Sequence, residues 1–166
     1  MIFGLDLATR RVAIACPEIG WVWRSDTESA RDKRTFKTET EAGVELGRRA
    51  LAALLIEELA SQQNFFLYER PFVRMNARTA VGQALSAGAL IAFLPGSCVQ
   101  IDNNTWKKDL CGLGSADKDD IKTWLEDCEP SLAALSGPDQ DLIDATCIAL
   151  YGGSSMASAL GLQRLG

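Results

Sequence analysis

The 166-residue chain contains no histidine. That excludes Ser-His-Asp and Cys-His hydrolases, His-Glu-x-x-His metalloproteases and nucleases that rely on imidazole. Any enzyme chemistry must run through carboxylates, lysines or a bound cation. The cysteines are odd in number, widely spaced and unpatterned. Cys16, Cys98, Cys111, Cys128 and Cys147 include no Cys-x-x-Cys pair, which argues against a structural zinc site and a redox motif and for reduced thiols. The Walker phosphate-binding pattern is also missing. No apolar run reaches about 18 residues, and no basic stretch with a following apolar segment opens the chain. The expectation is a cytoplasmic protein without a membrane span. A basic surplus is lacking too. The net charge of −5 speaks at first against a nucleic-acid partner. The charge is unevenly spread, however: residues 1–78 hold 12 Lys/Arg and 11 Asp/Glu, whereas 79–166 hold 5 and 11. Arg31/Lys33/Arg34/Lys37, Arg70/Arg74/Arg78 and Lys107/Lys108 form local basic groups. DNA binding by a basic face stays open if cations neutralise part of the acidic excess.

What is present suits one globular domain over residues 1–166, with 47% hydrophobic and 23% charged residues. Ile2–Leu7, Val12–Cys16 and Gly20–Arg24 read as a meander of three strands, separated by turn signals at Thr9-Arg10 and Pro17–Gly20. Thr38 to about Gln62 reads as an amphipathic helix, capped by Thr38 or Thr40. Val44, Leu46, Leu51, Leu54, Leu55 and Leu59 form its apolar face. A strand at Phe65–Glu69, a helix rich in small residues at Asn76–Leu94 and a strand at Cys98–Asp102 follow. Two helices, Ala116–Asp127 and Asp139–Gly152, close the chain. This order predicts an α/β fold, a mixed β-sheet flanked by α-helices. The small residues of Asn76–Leu94 predict close approach to another backbone, and that helix is the candidate for a two-fold interface.

Three carboxylates interrupt apolar segments: Asp6 within Ile2–Ala8, Glu69 at the end of Phe65–Glu69, and Asp144 at the start of Ile143–Tyr151. An ionised carboxylate in an apolar element is costly unless it is paired or binds a cation. Asp141 lies three residues before Asp144, on the same helical face. Each has an ordinary explanation when taken alone. Asp141 and Asp144 suit a helix N-terminus, and Glu69 could pair with Arg70. Asp6, apolar on both sides, is the hardest to dismiss. Together they suggest a shared site for a hard divalent cation such as Mg²⁺, which takes oxygen ligands, and two such ions suit phosphodiester hydrolysis. The turn Gly112–Ser115 feeds a helix where backbone N–H groups can meet phosphate. Lys107, Lys108 and Lys118 flank it; Phe72, bordered by Arg70 and Arg74, could stack on a base.

In four segments the chain resembles RuvC-type Holliday-junction resolvases of the RNase H-like superfamily. They are Phe3-Gly4-Leu5-Asp6; Tyr68-Glu69-Arg70-Pro71-Phe72 with Asn76 and Gly82-Gln83; Trp106-Lys107-Lys108 running into Gly112–Lys118; and Asp141-Leu142-Ile143-Asp144-Ala145. The resemblance spans residues 1 to about 152 and implies an RNase H-like fold. It further implies a homodimeric endonuclease that cuts opposing strands of a four-way DNA junction, using two Mg²⁺ ions per site or Mn²⁺ in their place. Asp6, Glu69, Asp141 and Asp144 would be metal ligands, Lys107 and Lys118 would contact the scissile phosphate, and Phe72 would be the stacking wedge. Arg70, Arg74, Arg78 and Lys108 would add DNA contacts, in a bacterial or phage-infected cytoplasm. Leu7-Ala8-Thr9 departs from the family, whose cellular members typically carry Pro-Gly and a small polar residue after the first aspartate. The alternative is a broader nuclease acting on flaps and replication forks with the same carboxylates. An actin-like ATPase half-domain lacks support, because Asp6-Leu7-Ala8-Thr9 has no glycine-rich phosphate turn. A DNA-binding scaffold without catalysis sits poorly with four retained carboxylates.

Overall fold

The strands alternate between two chemistries, and that alternation builds the molecule. The computed structural model describes residues 1–61, 63–70 and 77–159. β1 (Ile2–Leu7), β2 (Arg11–Cys16), β3 (Trp21–Asp26), β4 (Phe65–Glu69) and β5 (Ser97–Ile101) form one sheet in the order β3-β2-β1-β4-β5. β1 runs antiparallel to β2 and parallel to β4. Gly20, at a φ of 61° after the short turn Pro17–Ile19, supplies the left-handed residue that lets β3 start.

Seven helices complete the described chain: α1 (Ala30–Thr35), α2 (Glu39–Ile56), α3 (Ala77–Ile91), α4 (Asn103–Cys111), α5 (Lys118–Cys128), α6 (Pro130–Ser136) and α7 (Gln140–Ala159). The mixed sheet with flanking helices is the α/β arrangement expected. α1, α4 and α6 were not foreseen, being short and mostly polar or bounded by Pro130 and Gly137. α2 opens with a capping box: the Thr38 hydroxyl accepts from Glu41 N–H, and the Glu41 carboxylate accepts from Thr38 N–H. It stops at Ile56, short of Gln62, and a single 3₁₀ turn follows at Leu59–Ser61.

On one sheet face, Phe3, Leu5, Val12, Ile14, Cys16 and Phe66 pack under α2 and α3 with Leu46, Ala50, Leu54 and Leu90. The expected apolar face of α2 is partly wrong: Leu55 is 58% exposed. Small residues carry that contact instead, since Ala42, Gly43, Gly47 and Ala50 are all buried. A Cβ on Gly43 would lie 2.3 Å from the Ser86 carbonyl oxygen of α3. The small residues of α3 therefore serve close packing inside the chain. Their outward side keeps Val81 and Leu85, both about half exposed.

On the other face α7 lies across β1 and β2. Ala13, Ala15 and Ala145 meet there with no room for larger side chains. A Cβ on Gly4 would stand 2.0 Å from the Ala145 carbonyl oxygen and 2.4 Å from the Ala149 nitrogen. Glycine is required at position 4 because two backbones touch there. Beside this seam Trp106 of α4, Ile121 and Leu125 of α5, and Ile143 and Ile148 of α7 bury a second apolar cluster with Leu67 and Ile101.

Candidate active site

The pairing register brings two carboxylates side by side. Leu5 of β1 is opposite Tyr68 of β4, so Asp6 and Glu69 are neighbours one residue further on, at the same sheet end. Both share the sheet face of Gly4, the face against which α7 packs. The Gly4–Ala145 contact delivers Asp144, and one turn earlier Asp141, to the same place. The charges of Asp144, Asp141 and Glu69 all act on Asp6.

The electrostatics are severe. Burial, and then the charges of Asp144, Asp141 and Glu69, push the Asp6 carboxyl up to about 8, against a smaller opposing pull from Arg11. Burial also raises Glu69, although a hydrogen bond from the Trp106 indole N–H to its Oε1 at 2.6 Å works the other way. Asp144 is raised by burial and eased by the Gln140 amide, which donates to Oδ1 at 2.8 Å, and by Lys107 and Lys118. A bound cation would act in the opposite sense, favouring the ionised carboxylates.

Asp141 is held differently from the other three. Its Oδ2 receives Arg11 Nη1 at 3.2 Å and Arg24 Nε at 3.4 Å. Arg24 also reaches Asp139 Oδ2 at 2.8 Å. As the side chains stand, each of Glu69, Asp141 and Asp144 is drawn toward a protein donor. Among the described residues no three acidic or thiol groups converge closely enough to hold a metal ion. The donor set still fits a hard divalent cation in kind. Every candidate ligand is a carboxylate, and Glu69 and Asp144 each have a second oxygen with no protein donor among the described residues.

The lysines divide. Lys107 is half-buried; its ammonium lies 5.5 Å above the Trp106 ring and donates to the Ala116 carbonyl at 3.1 Å, tying α4 to the turn before α5. Lys118 is the first residue of α5, exposed and within electrostatic reach of Asp144. The helix it begins is capped by Asp117, whose carboxylate accepts from Asp119 and Asp120 N–H. That side chain occupies donors which a phosphate would need, so the turn at Gly112–Ser115 is less open than its sequence suggests. Lys108 and Arg70 are exposed, and Arg78 lies exposed in the first turn of α3. Phe72 and Arg74 fall outside the described residues.

Arg11, Arg24, Asp139, Trp106 and Gln140 were not anticipated as site residues. Two of them carried a usable signal. Trp106 is the single aromatic in a charged helix and is fully buried. Gln140 stands four residues before Asp144, a helical neighbour.

No protein-family model and no curated protein sequence matches the chain. Solved structures do. The chain resembles the structure of RuvC from Thermus thermophilus with a TM-score of 0.67 and 16% identity over 96% of both chains. It resembles T. thermophilus RuvC in complex with a Holliday junction substrate with a TM-score of 0.65 and 14% identity over 95% of both chains. The protein has a RuvC-like, RNase H-like fold, as the resemblance in its sequence implied.

Proposed function

We propose that this protein is a divalent-cation-dependent endonuclease that resolves four-way DNA junctions by paired strand incision, residues 1–166 acting as one nuclease domain. The observation that carries the reading is the placement of Asp6, Glu69, Asp141 and Asp144 at one end of a RuvC-like sheet, with Asp6 pushed up to about 8 by burial and then by the charges of the other three. Side chains are not gathered in this way for stability.

Asp6, Glu69, Asp144 and, with its second oxygen, Asp141 would hold the ions, Mg²⁺ or Mn²⁺. Two ions would supply an activated water and a stabilised leaving oxygen when bound. Trp106 fixes the Glu69 carboxylate and Gln140 that of Asp144, so neither turns freely. Lys118, exposed beside Asp144, is placed to meet a DNA phosphate at the rim. Lys107 acts through the backbone it holds. α1 carries Arg31, Lys33 and Arg34 outward, while its Asp32 faces Arg49 of α2 at 3.6 Å. Arg10, whose guanidinium donates twice to the Phe36 carbonyl at 3.1 and 3.0 Å, fastens that basic segment next to the Asp6 turn. These exposed cations would add to the attraction of a polyanion. Phe72, Arg70, Arg74, Arg78 and Lys108 would extend the DNA contact, with Phe72 as the stacking residue.

Cutting opposing strands calls for two sites, and we assign the second to another copy of this chain. The outward side of α3, with the exposed Val81 and Leu85, offers apolar surface for it. The test is incubation of purified protein with synthetic four-way junction, fork, flap and duplex DNA, with Mg²⁺ or with EDTA. Symmetric paired cuts on the junction in Mg²⁺ are expected. Equal cutting of flaps and forks would transfer the protein to the broader branched-DNA nucleases, and no cutting of any substrate would end the reading.

A further inference from the structure

Outside the four carboxylates the strongest unexplained feature is the ion-pair lattice Arg11–Asp141–Arg24–Asp139. Its members come from three places: Arg11 from β2, Arg24 from β3, and the two aspartates from the start of α7, Asp139 just before the helix and Asp141 in its first turn. The register explains why they meet. Asp6 is opposite Ala13, and Ala13 is opposite Arg24, so the three lie in one row on one sheet face. Ala13 has no side chain to block the way, and Arg24 reaches across it toward α7. Arg11, two residues before Ala13, shares that face.

Two guanidinium groups thereby converge on one oxygen of one aspartate, Oδ2 of Asp141. The lattice is imperfect. Arg11 Nε is buried without a hydrogen-bond partner, with Glu28 Oε1 standing 3.8 Å from it. Groups with a purely structural duty are normally satisfied in full. An arginine with a buried orphaned donor is held by charge more than by hydrogen-bond geometry.

We propose that Arg24, seconded by Arg11, is a positioning residue that occupies Asp141 as a built-in counter-ion, so that a divalent cation can recruit Asp141 only against it. The pair therefore sets the cation concentration the site requires. Asp139 moderates the competition, because it takes the other edge of the same guanidinium and draws part of its charge away from Asp141. The inference rests on the reading of the carboxylates as cation ligands. It assigns to β2 and β3 a part in the site that those ligands alone do not have.

Calorimetric titration of the metal-free protein with Mn²⁺ tests it without any DNA. Arg24→Gln is expected to bind Mn²⁺ roughly fivefold more tightly than the unaltered chain. Arg24→Lys, which keeps the charge, should stay within about twofold of it. Asp139→Asn, which can still cap α7, should bind Mn²⁺ roughly threefold more weakly, because Arg24 then bears wholly on Asp141. A merely structural lattice would lower the melting temperature of these variants and leave their Mn²⁺ affinities together. Unchanged or weaker binding by Arg24→Gln overturns the inference, as does tighter binding by Asp139→Asn. If the unaltered chain binds no Mn²⁺, the carboxylate reading itself fails, which is a separate and recognisable result.

Discussion

Toward α2 the strands present Phe3, Leu5, Val12, Ile14 and Phe66, all fully or almost fully buried. Toward α7 the same strands present Gly4, Asp6, Ala13, Ala15 and Glu69. The first face is large, apolar and aromatic, with the Phe3 and Phe66 rings stacked at 4.8 Å and Trp21 edge-on to Phe3 at 6.0 Å. The second is small and charged along this seam, and turns apolar again only beside it, at Leu67 and Ile101. Apolar burial on the first, together with the cluster beside the seam, supplies the stability, and that surplus allows the seam end to gather carboxylates whose mutual repulsion works against folding. A single alternation of residues, with period two, keeps the two tasks apart.

The sharpest way to break that division is Asp6→Asn. Cleavage should fall by about a thousandfold or more, while the metal-free protein becomes more stable. The sign follows from the carboxyl's position near 8 in the folded chain against 3.8 for the free group. Its protonated form is favoured on folding, so the benefit is full below about pH 4 and is lost as pH rises toward 8. Urea unfolding should show the variant's advantage growing across that window, to about 2 kcal/mol or more at pH 8. An advantage independent of pH would contradict the electrostatic account.

Gly4→Ala should damage both faces at once. The new methyl meets backbone on α7, so a loss of about 3 kcal/mol or more is expected, with cleavage lost even from the folded fraction. Leu46→Ala is its counterpart: about 3 kcal/mol by thermal or urea unfolding, with cleavage per folded molecule unchanged. Similar cleavage losses in the two variants would mean that the faces are not separate. Smallest is Trp106→Phe, which keeps the buried ring but removes the donor to Glu69. It should lower cleavage about tenfold and raise the Mg²⁺ concentration needed, with only modest destabilisation.

The sequence made the strands legible because apolar runs of five or six residues bounded by turn signals have few other readings. Asp6, Glu69 and Asp144 were legible for the opposite reason, as charges where such runs should have none. What was hidden depended on distance along the chain. Arg11 and Asp141 are 130 residues apart, and no local pattern marks an arginine in a strand as the partner of a distant helix. Leu55 misled because helical period alone cannot tell which of two adjacent leucines points inward; Gly43 and Gly47 decide it by letting α3 approach on their side. α1 escaped notice because its six residues are polar and contribute no apolar face.

The seam at Gly4 has a mechanical consequence. With backbone against backbone there, α7 can neither roll nor slide on β1, and the two elements move as one rigid body. The placement of Asp144 relative to Asp6 is then a property of the fold, not of side-chain adjustment. In the proposed nuclease, accommodation to ions of different radius or to an arriving phosphate would then come from the outer members, Asp141 on its arginines and Lys118 at the rim.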